Sequence, residues 1–183
     1  MGILISSFPG CGKSYLMNTH GNKAKMLDAT TLMGEGQDGE YDYNLWVDNI
    51  MDKIDDYDIV FIPVAERLLE VLNNRNIDYD IFYPSKDRRK EFLENMVRKR
   101  ALRNDIMMLD RDFDKIVDRI DEIEAENCYK HKMEEQGHFI GNDAAIMQYI
   151  NNIGQTQGNN EQKPITGVEE STRSEENNEA NEA

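Results

Sequence analysis

Cysteine, histidine and proline are scarce in this chain, basic residues are outnumbered, and no long apolar run occurs. Two cysteines in 183 residues, Cys11 and Cys128, cannot build a disulfide framework, and their scarcity fits a reducing cytoplasm. No stretch approaches the ~18 apolar residues of a membrane span, so a soluble protein with no membrane partner is expected. Ile3-Leu4-Ile5 is far too short for the apolar stretch of a secretion signal. Against 36 acidic residues stand 21 lysines and arginines, a net of −15, which argues against a general nucleic-acid or membrane coat. His20, His131 and His138 show no metal-ligand spacing with the cysteines, and no nucleophile–histidine–acid set stands out. The length suits one α/β domain and a tail, and leaves no room for two full domains.

Gly2 followed by Ser6 fits the loose pattern for N-myristoylation. The reading adopted instead makes Ile3-Leu4-Ile5 a buried strand feeding the loop that follows. The chain then divides into a domain over 1–152 and an acidic tail over 153–183. From Gln155 onward seven glutamates face Lys163 and Arg173, and large apolar residues are almost absent, so the tail should be disordered. It reads as a solubilising segment rather than an interaction tail.

Within the domain, apolar strands alternate with helical patterns. Gly2–Ser6, Ala24–Asp28, Asp58–Ile62 and Tyr79–Tyr83 read as strands, the last two stopped by Pro63 and Pro84. His138-Phe139-Ile140 reads as a last short strand. Helices are expected from Lys13, around Val47–Ile54, around Leu68–Leu72, across 87–127, and over Ala144–Ile150. The stripe Phe113, Ile116, Val117, Ile120 and Ile123 belongs to the core. Gly34, Gly36 and Gly39 mark a mobile loop. The alternation predicts a parallel sheet of about five strands covered on both faces.

The most informative segment is Ser6-Ser7-Phe8-Pro9-Gly10-Cys11-Gly12-Lys13-Ser14, between the first strand and the first helix. Gly12, Lys13 and Ser14 match the phosphate-binding pattern G-x-x-x-x-G-K-[ST], with Ser7 in place of its first glycine. The residue types suit the chemistry. Gly10 and Gly12 let backbone N–H groups turn toward a phosphate, and the helix N-terminus adds its positive dipole end. Lys13 would reach the β- and γ-phosphates, and Ser14 would ligate Mg²⁺. Pro9 and Cys11 complete the loop, Cys11 as a spacer rather than a reactive thiol.

Phe8-Pro9-Gly10-Cys11-Gly12-Lys13-Ser14 resembles the phosphate loop of P-loop NTPases, in particular the nucleoside monophosphate kinase-like group and small phage-encoded nucleotide kinase-like proteins. A looser pattern extends the resemblance over about Met1–Ile150. It implies a three-layer α/β P-loop fold with a helical lid inserted at about 86–128. It also implies ATP and Mg²⁺ as cofactors and a cytoplasmic location, that of the host if the gene is phage-encoded.

Eight of the 21 basic residues fall between Lys86 and Arg103, where three acids leave a net of +5. By the resemblance this is the lid, and Arg98, Arg100 and Arg103 would close over the transferring phosphoryl group. On one unbroken helix Arg98 is turned about 160° from Arg100, so the three can face one phosphate only if the helix breaks. The bland alternative is a solvated basic helix pairing with the acidic stretch Asp110–Glu126.

The strand Ile59–Ile62 ends in Pro63-Val64-Ala65, with no acid to hold a Mg²⁺ water shell. Asp28 is the substitute. By the resemblance it would orient a hydroxyl or phosphate acceptor and share the metal; the alternative is an ordinary turn or capping Asp. Glu66 and Arg67 follow the third strand, Glu66 most simply as a first-turn acid. Trp46 and Tyr43 fit either base stacking or burial.

The expected activity is Mg²⁺- and ATP-dependent phosphoryl transfer to a small acceptor, a nucleoside monophosphate above others. Lys13, Asp28, Arg98, Arg100 and Arg103 would carry it, with nucleotides as small-molecule partners. The alternatives are a nucleotide-binding module or NTPase without kinase activity, and a kinase of polynucleotide 5′-hydroxyl ends.

Overall fold

The structure, a computed structural model, describes residues 2–34 and 40–161. Five strands, β1 (Ile3–Ser7), β2 (Met26–Asp28), β3 (Ile59–Pro63), β4 (Tyr79–Pro84) and β5 (Cys128–Met133), form one all-parallel sheet in the order β2-β3-β1-β4-β5. Ile59, Val60, Phe61 and Ile62 are buried in succession, as are Leu4 to Ser7. A strand buried on both sides needs cover on both faces, so the α/β arrangement is compatible with three layers.

Among the described residues six α-helices accompany the sheet: α1 (Lys13–His20), α2 (Tyr43–Met51), α3 (Glu66–Asn74), α4 (Arg89–Arg98), α5 (Arg103–Asp121) and α6 (Ala144–Glu161). Phe113, Val117 and Ile120 of α5 are buried and Ile116 and Ile123 pack beside them, so the stripe is core as expected.

β1 lies between β3 and β4. The chain leaves β1 toward β2 on one side and leaves β4 toward β5 on the other. Connections diverge there, which is where open parallel sheets leave a crevice at their C-terminal edge. The loop Phe8–Gly12 occupies that edge, and α4 and α5 follow β4 beside it.

Three boundaries differ from expectation. The last strand is Cys128–Met133, not His138–Ile140. β5 is an edge strand, and its exposed Tyr129, Lys130 and Lys132 hide it from any apolar pattern. The long helix over 87–127 is two helices, broken at Lys99–Leu102, with Arg100 at φ 56°. Helix α6 runs past the limit set at 152 to Glu161, because Ile146, Ile150 and Ile153 line up against the core. Residues 162–183 of the tail, and residues 35–39 of the glycine loop, lie outside the described residues.

Candidate functional site

The loop after β1 is held from three sides. The Phe8 N–H donates to the Phe82 carbonyl of β4 at 3.0 Å. The Phe8 ring meets Phe113 of α5 and Phe92 of α4 edge-on, with centroids 5.1 and 5.9 Å away. From the far side, the Ile140 N–H donates to the Cys11 carbonyl at 3.0 Å.

Gly10 and Gly12 both take left-handed backbone, φ 84° and 96°. A side chain on Gly10 would be strained by φ alone, and its Cβ would also come within 2.9 Å of the Phe92 carbonyl oxygen. Glycine here therefore sets both the turn and the close approach of α4.

Among the described residues, no protein acceptor takes the N–H groups of Gly10, Gly12 or Ser14. The Ser14 side chain is exposed and its hydroxyl has no protein partner among them. Pro9 is exposed at the outer bend. Cys11 is fully buried, and burial pushes its thiol up despite nearby Lys13 and Lys99, as a spacer requires rather than a nucleophile. Free N–H groups and an exposed hydroxyl at a helix start are the equipment for an anion and its metal. Among the described residues no three or more His, Cys, Asp or Glu cluster as a metal cage. Mg²⁺ is commonly held by one or two protein groups plus phosphate oxygens, so Ser14 and Asp28 fit it without such a cage.

Lys13 is paired with Asp28 at the end of β2. The Asp28 carboxylate also accepts from the Thr30 N–H at 3.2 Å and the Thr30 hydroxyl at 2.9 Å. Of the two expectations for Asp28, the capping role is what the fold shows, for its side chain accepts from the Thr30 N–H at the start of the turn after β2, and it also pairs with the loop lysine. β2 lies against β3, with Asp28 opposite Phe61, so an acid from β2 stands where β3 provides none.

Burial alone would raise the Asp28 carboxyl, but the hydrogen bond and charge of Lys13, with Thr30, hold it below the usual carboxylate range. A depressed pKa adds stability that is full above the unfolded value, near 3.9, and is lost as pH falls through the folded value. The stability gap between wild type and Asp28→Asn should therefore be constant from pH 7 to about 5 and shrink at pH 3. Urea unfolding at the three pH values checks this; a gap that grows at pH 3 would show Asp28 is not held ionised.

Arg98, Arg100 and Arg103 are brought to the corner between α4 and α5, exposed and without ion pairs among the described residues. They do not line the loop cleft. That cleft, about 330 Å³, is lined from α4 and its C-terminal end by Asn95 and Lys99, and otherwise by Gly10, Gly12, Tyr15 and the 139–142 turn. Asn95 donates to the Gly10 carbonyl at 3.4 Å. Sequence reasoning missed Asn95 and its role; the signal was the helical stripe Arg88, Phe92, Asn95, Lys99. Nothing in the sequence marked the 139–142 turn.

The basic island divides in two. Arg89 pairs with Asp110 and Lys86 with Asp118, as the bland alternative holds. Arg88 is buried, bonded to Glu91 and to the Met133 and His138 carbonyls. Glu66 pairs with Arg119 at 2.6 Å, and Arg67 is exposed. Trp46 is buried and donates to the Ala29 carbonyl at 2.8 Å, so of its two readings burial is what the fold shows. Tyr43 lies beside it, with ring centroids 6.1 Å apart.

No family model matches the sequence, and no curated protein matches it.

Proposed function

We propose that the chain is a P-loop phosphotransferase that moves the γ-phosphoryl group of ATP to a small acceptor. The observation that carries the reading is the set of unpaired N–H groups at Gly10, Gly12 and Ser14 beside Lys13, at the diverging point of a parallel sheet. In this reading those N–H groups cradle the phosphates and Lys13 leaves Asp28 to neutralise them. Mg²⁺, bound at Ser14 and Asp28, would supply charge neutralisation across the β- and γ-phosphates.

Arg98, Arg100 and Arg103 would close over the transferring group, the break after α4 meaning that they are not tied to the faces of one unbroken helix. The tight packing of Phe8, Phe92 and Phe113 keeps the base of that lid fixed to the loop. Catalysis would come from positioning and charge stabilisation.

A nucleotide-binding module without turnover is the second reading, favoured by β3 ending without an acid. ADP formation from Mg·ATP, measured with and without acceptors and beside direct ATP titration, separates the two. Acceptor-dependent ADP supports the phosphotransferase; ATP binding with no turnover under any condition supports the module.

A further inference from the structure

Large apolar side chains exposed to solvent are not spread evenly over this protein. Of nine among the described residues, four, Val97, Leu102, Met107 and Met108, fall at the corner where α4 gives way to α5. Leu102 is 73% exposed and Met108 56%. Single exposed apolar residues need no explanation, but a cluster of them marks a surface that another molecule covers. Beside them stand Arg98, Arg100 and Arg103, exposed and without ion pairs among the described residues, so the corner is both apolar and cationic.

A second surface has the same apolar character and the opposite charge. Helices α3 and α5 leave a groove of about 280 Å³ between them, floored by Val64, Leu69, Ile116, Ile120 and Ile123. Glu66, Glu70 and Glu122 stand along its rim against one cation, Arg119, which Glu66 already engages. Glu70 and Glu122 are exposed and have no ion pair among the described residues. The rim therefore keeps uncompensated negative charge over an apolar floor.

Both surfaces belong in part to α5. Residues three or four apart on a helix share a flank, so Met108, Asp112, Lys115 and Arg119 form one line. The pair of Arg119 with Glu66 puts that line on the α3 side. Met108 and Ile120 are about 18 Å apart along the axis at the usual helical rise. Two α5 helices packed antiparallel about a two-fold axis would lay the corner of each on the groove of the other. Such an arrangement closes on itself, because each copy gives and receives the same patches. Arginines meet the acidic rim, and apolar side chains cover apolar side chains.

We propose that this chain self-associates as a two-fold dimer in which the apolar, arginine-bearing α4–α5 corner of each copy docks in the α3–α5 groove of the other. The occupant is a copy of this chain rather than a nucleic acid or an anionic membrane, since a net charge of −15 repels both. The contact does not rest on the phosphotransferase reading. In that reading the same arginines leave it to close over a phosphate, so the test uses the chain without nucleotide.

Sedimentation velocity on the full chain at low salt should show a monomer–dimer equilibrium with a dissociation constant of about 1–100 µM, a binding free energy of roughly −8 to −5.5 kcal/mol. The dimer should dissociate toward monomer at about 1 M salt, where the Debye length is roughly 3 Å. Two paired variants reverse the charges, Arg100→Glu with Arg103→Glu in the corner and Glu70→Lys with Glu122→Lys in the groove. All four side chains are exposed, so both proteins should fold. Alone, each sets like charges face to face and should weaken association by at least about tenfold. Mixed in equal amounts, the reversed corner of one meets the reversed groove of the other, and the dimer should return.

A wild type that stays monomeric throughout overturns the inference and leaves the corner to an acidic partner of another kind, such as residues 162–183 of the same chain. A wild-type dimer indifferent to both variants, a mixture that stays monomeric, or assemblies larger than a dimer overturn it as well.

Discussion

Lys13→Ala is expected to abolish the stabilisation that Mg·ATP gives the wild type and to cut turnover by about 10³-fold. The magnitude follows from what the residue would do. A single preorganised charge or donor aimed at developing phosphate charge contributes on the order of 10² to 10³ in rate. ATP at a hundredfold excess over its dissociation constant stabilises a binding protein by about 2.7 kcal/mol. For a chain of this length that is a rise of roughly 5–11 °C in melting temperature. The variant should melt close to ligand-free wild type, because the Lys13–Asp28 pair it loses is partly solvent-exposed and such pairs stabilise little. Differential scanning fluorimetry with and without Mg·ATP reads both effects. A Lys13→Ala protein that keeps the ATP-induced rise would show that the loop is a structural turn and not a phosphate site.

The parts of this protein legible in its sequence are those built from neighbours in the chain. β1, the loop and α1 are contiguous, so Gly10, Gly12, Lys13 and Ser14 could be placed by spacing alone, and their backbone follows. β3 and β4 are apolar runs ended by proline and are found where the pattern put them. β5 was illegible because an edge strand with exposed Tyr129, Lys130 and Lys132 carries no apolar signature. The break at Arg100 was hidden for another reason. Arg98 to Leu102 are all good helix formers, so propensity argues for continuation, and tertiary packing of α4 against α5 decides otherwise.

Side-chain roles divided along the same line. Nothing in Lys86–Arg103 distinguishes an arginine that is buried from one that is free, since the partners come from β5 and α5. The absence of an acid after β3 is legible in the sequence, and so is Asp28 as a candidate substitute, but only the pairing of β2 with β3 brings Asp28 to the loop lysine. Asn95 and Lys99 entered the cleft through a helical stripe that reads first as packing.

Arg88 is where that distinction has the largest consequence for stability. It opens α4, is 4% exposed, and is flanked by the Phe92 and Phe139 rings at 5.1 and 5.0 Å. Its guanidinium donates to Glu91 through Nε and one terminal nitrogen, and to the Met133 and His138 carbonyls through the other. Glu91 in turn accepts from the Gly137 N–H at 3.0 Å. One side chain thus joins the start of α4, the end of β5 and the turn that lines the cleft.

Arg88→Ala would take the guanidinium from the His138 carbonyl, from the Met133 carbonyl, which keeps the Ser85 N–H, and from Glu91, which keeps the Gly137 N–H, a loss of about 3 kcal/mol at the low end for breaking a buried pair. That corresponds to a fall of roughly 6–12 °C in melting temperature. Arg88→Lys should recover little, because an ammonium cannot span a planar fork between Glu91 and two carbonyls or stack between two rings. Since the same contacts fix the 137–142 turn, ATP affinity should weaken in both variants below their melting points. A melting temperature within about 2 °C of wild type in Arg88→Ala would mean that water replaces the guanidinium and that α4 is anchored by Phe8, Phe92 and Phe113 alone.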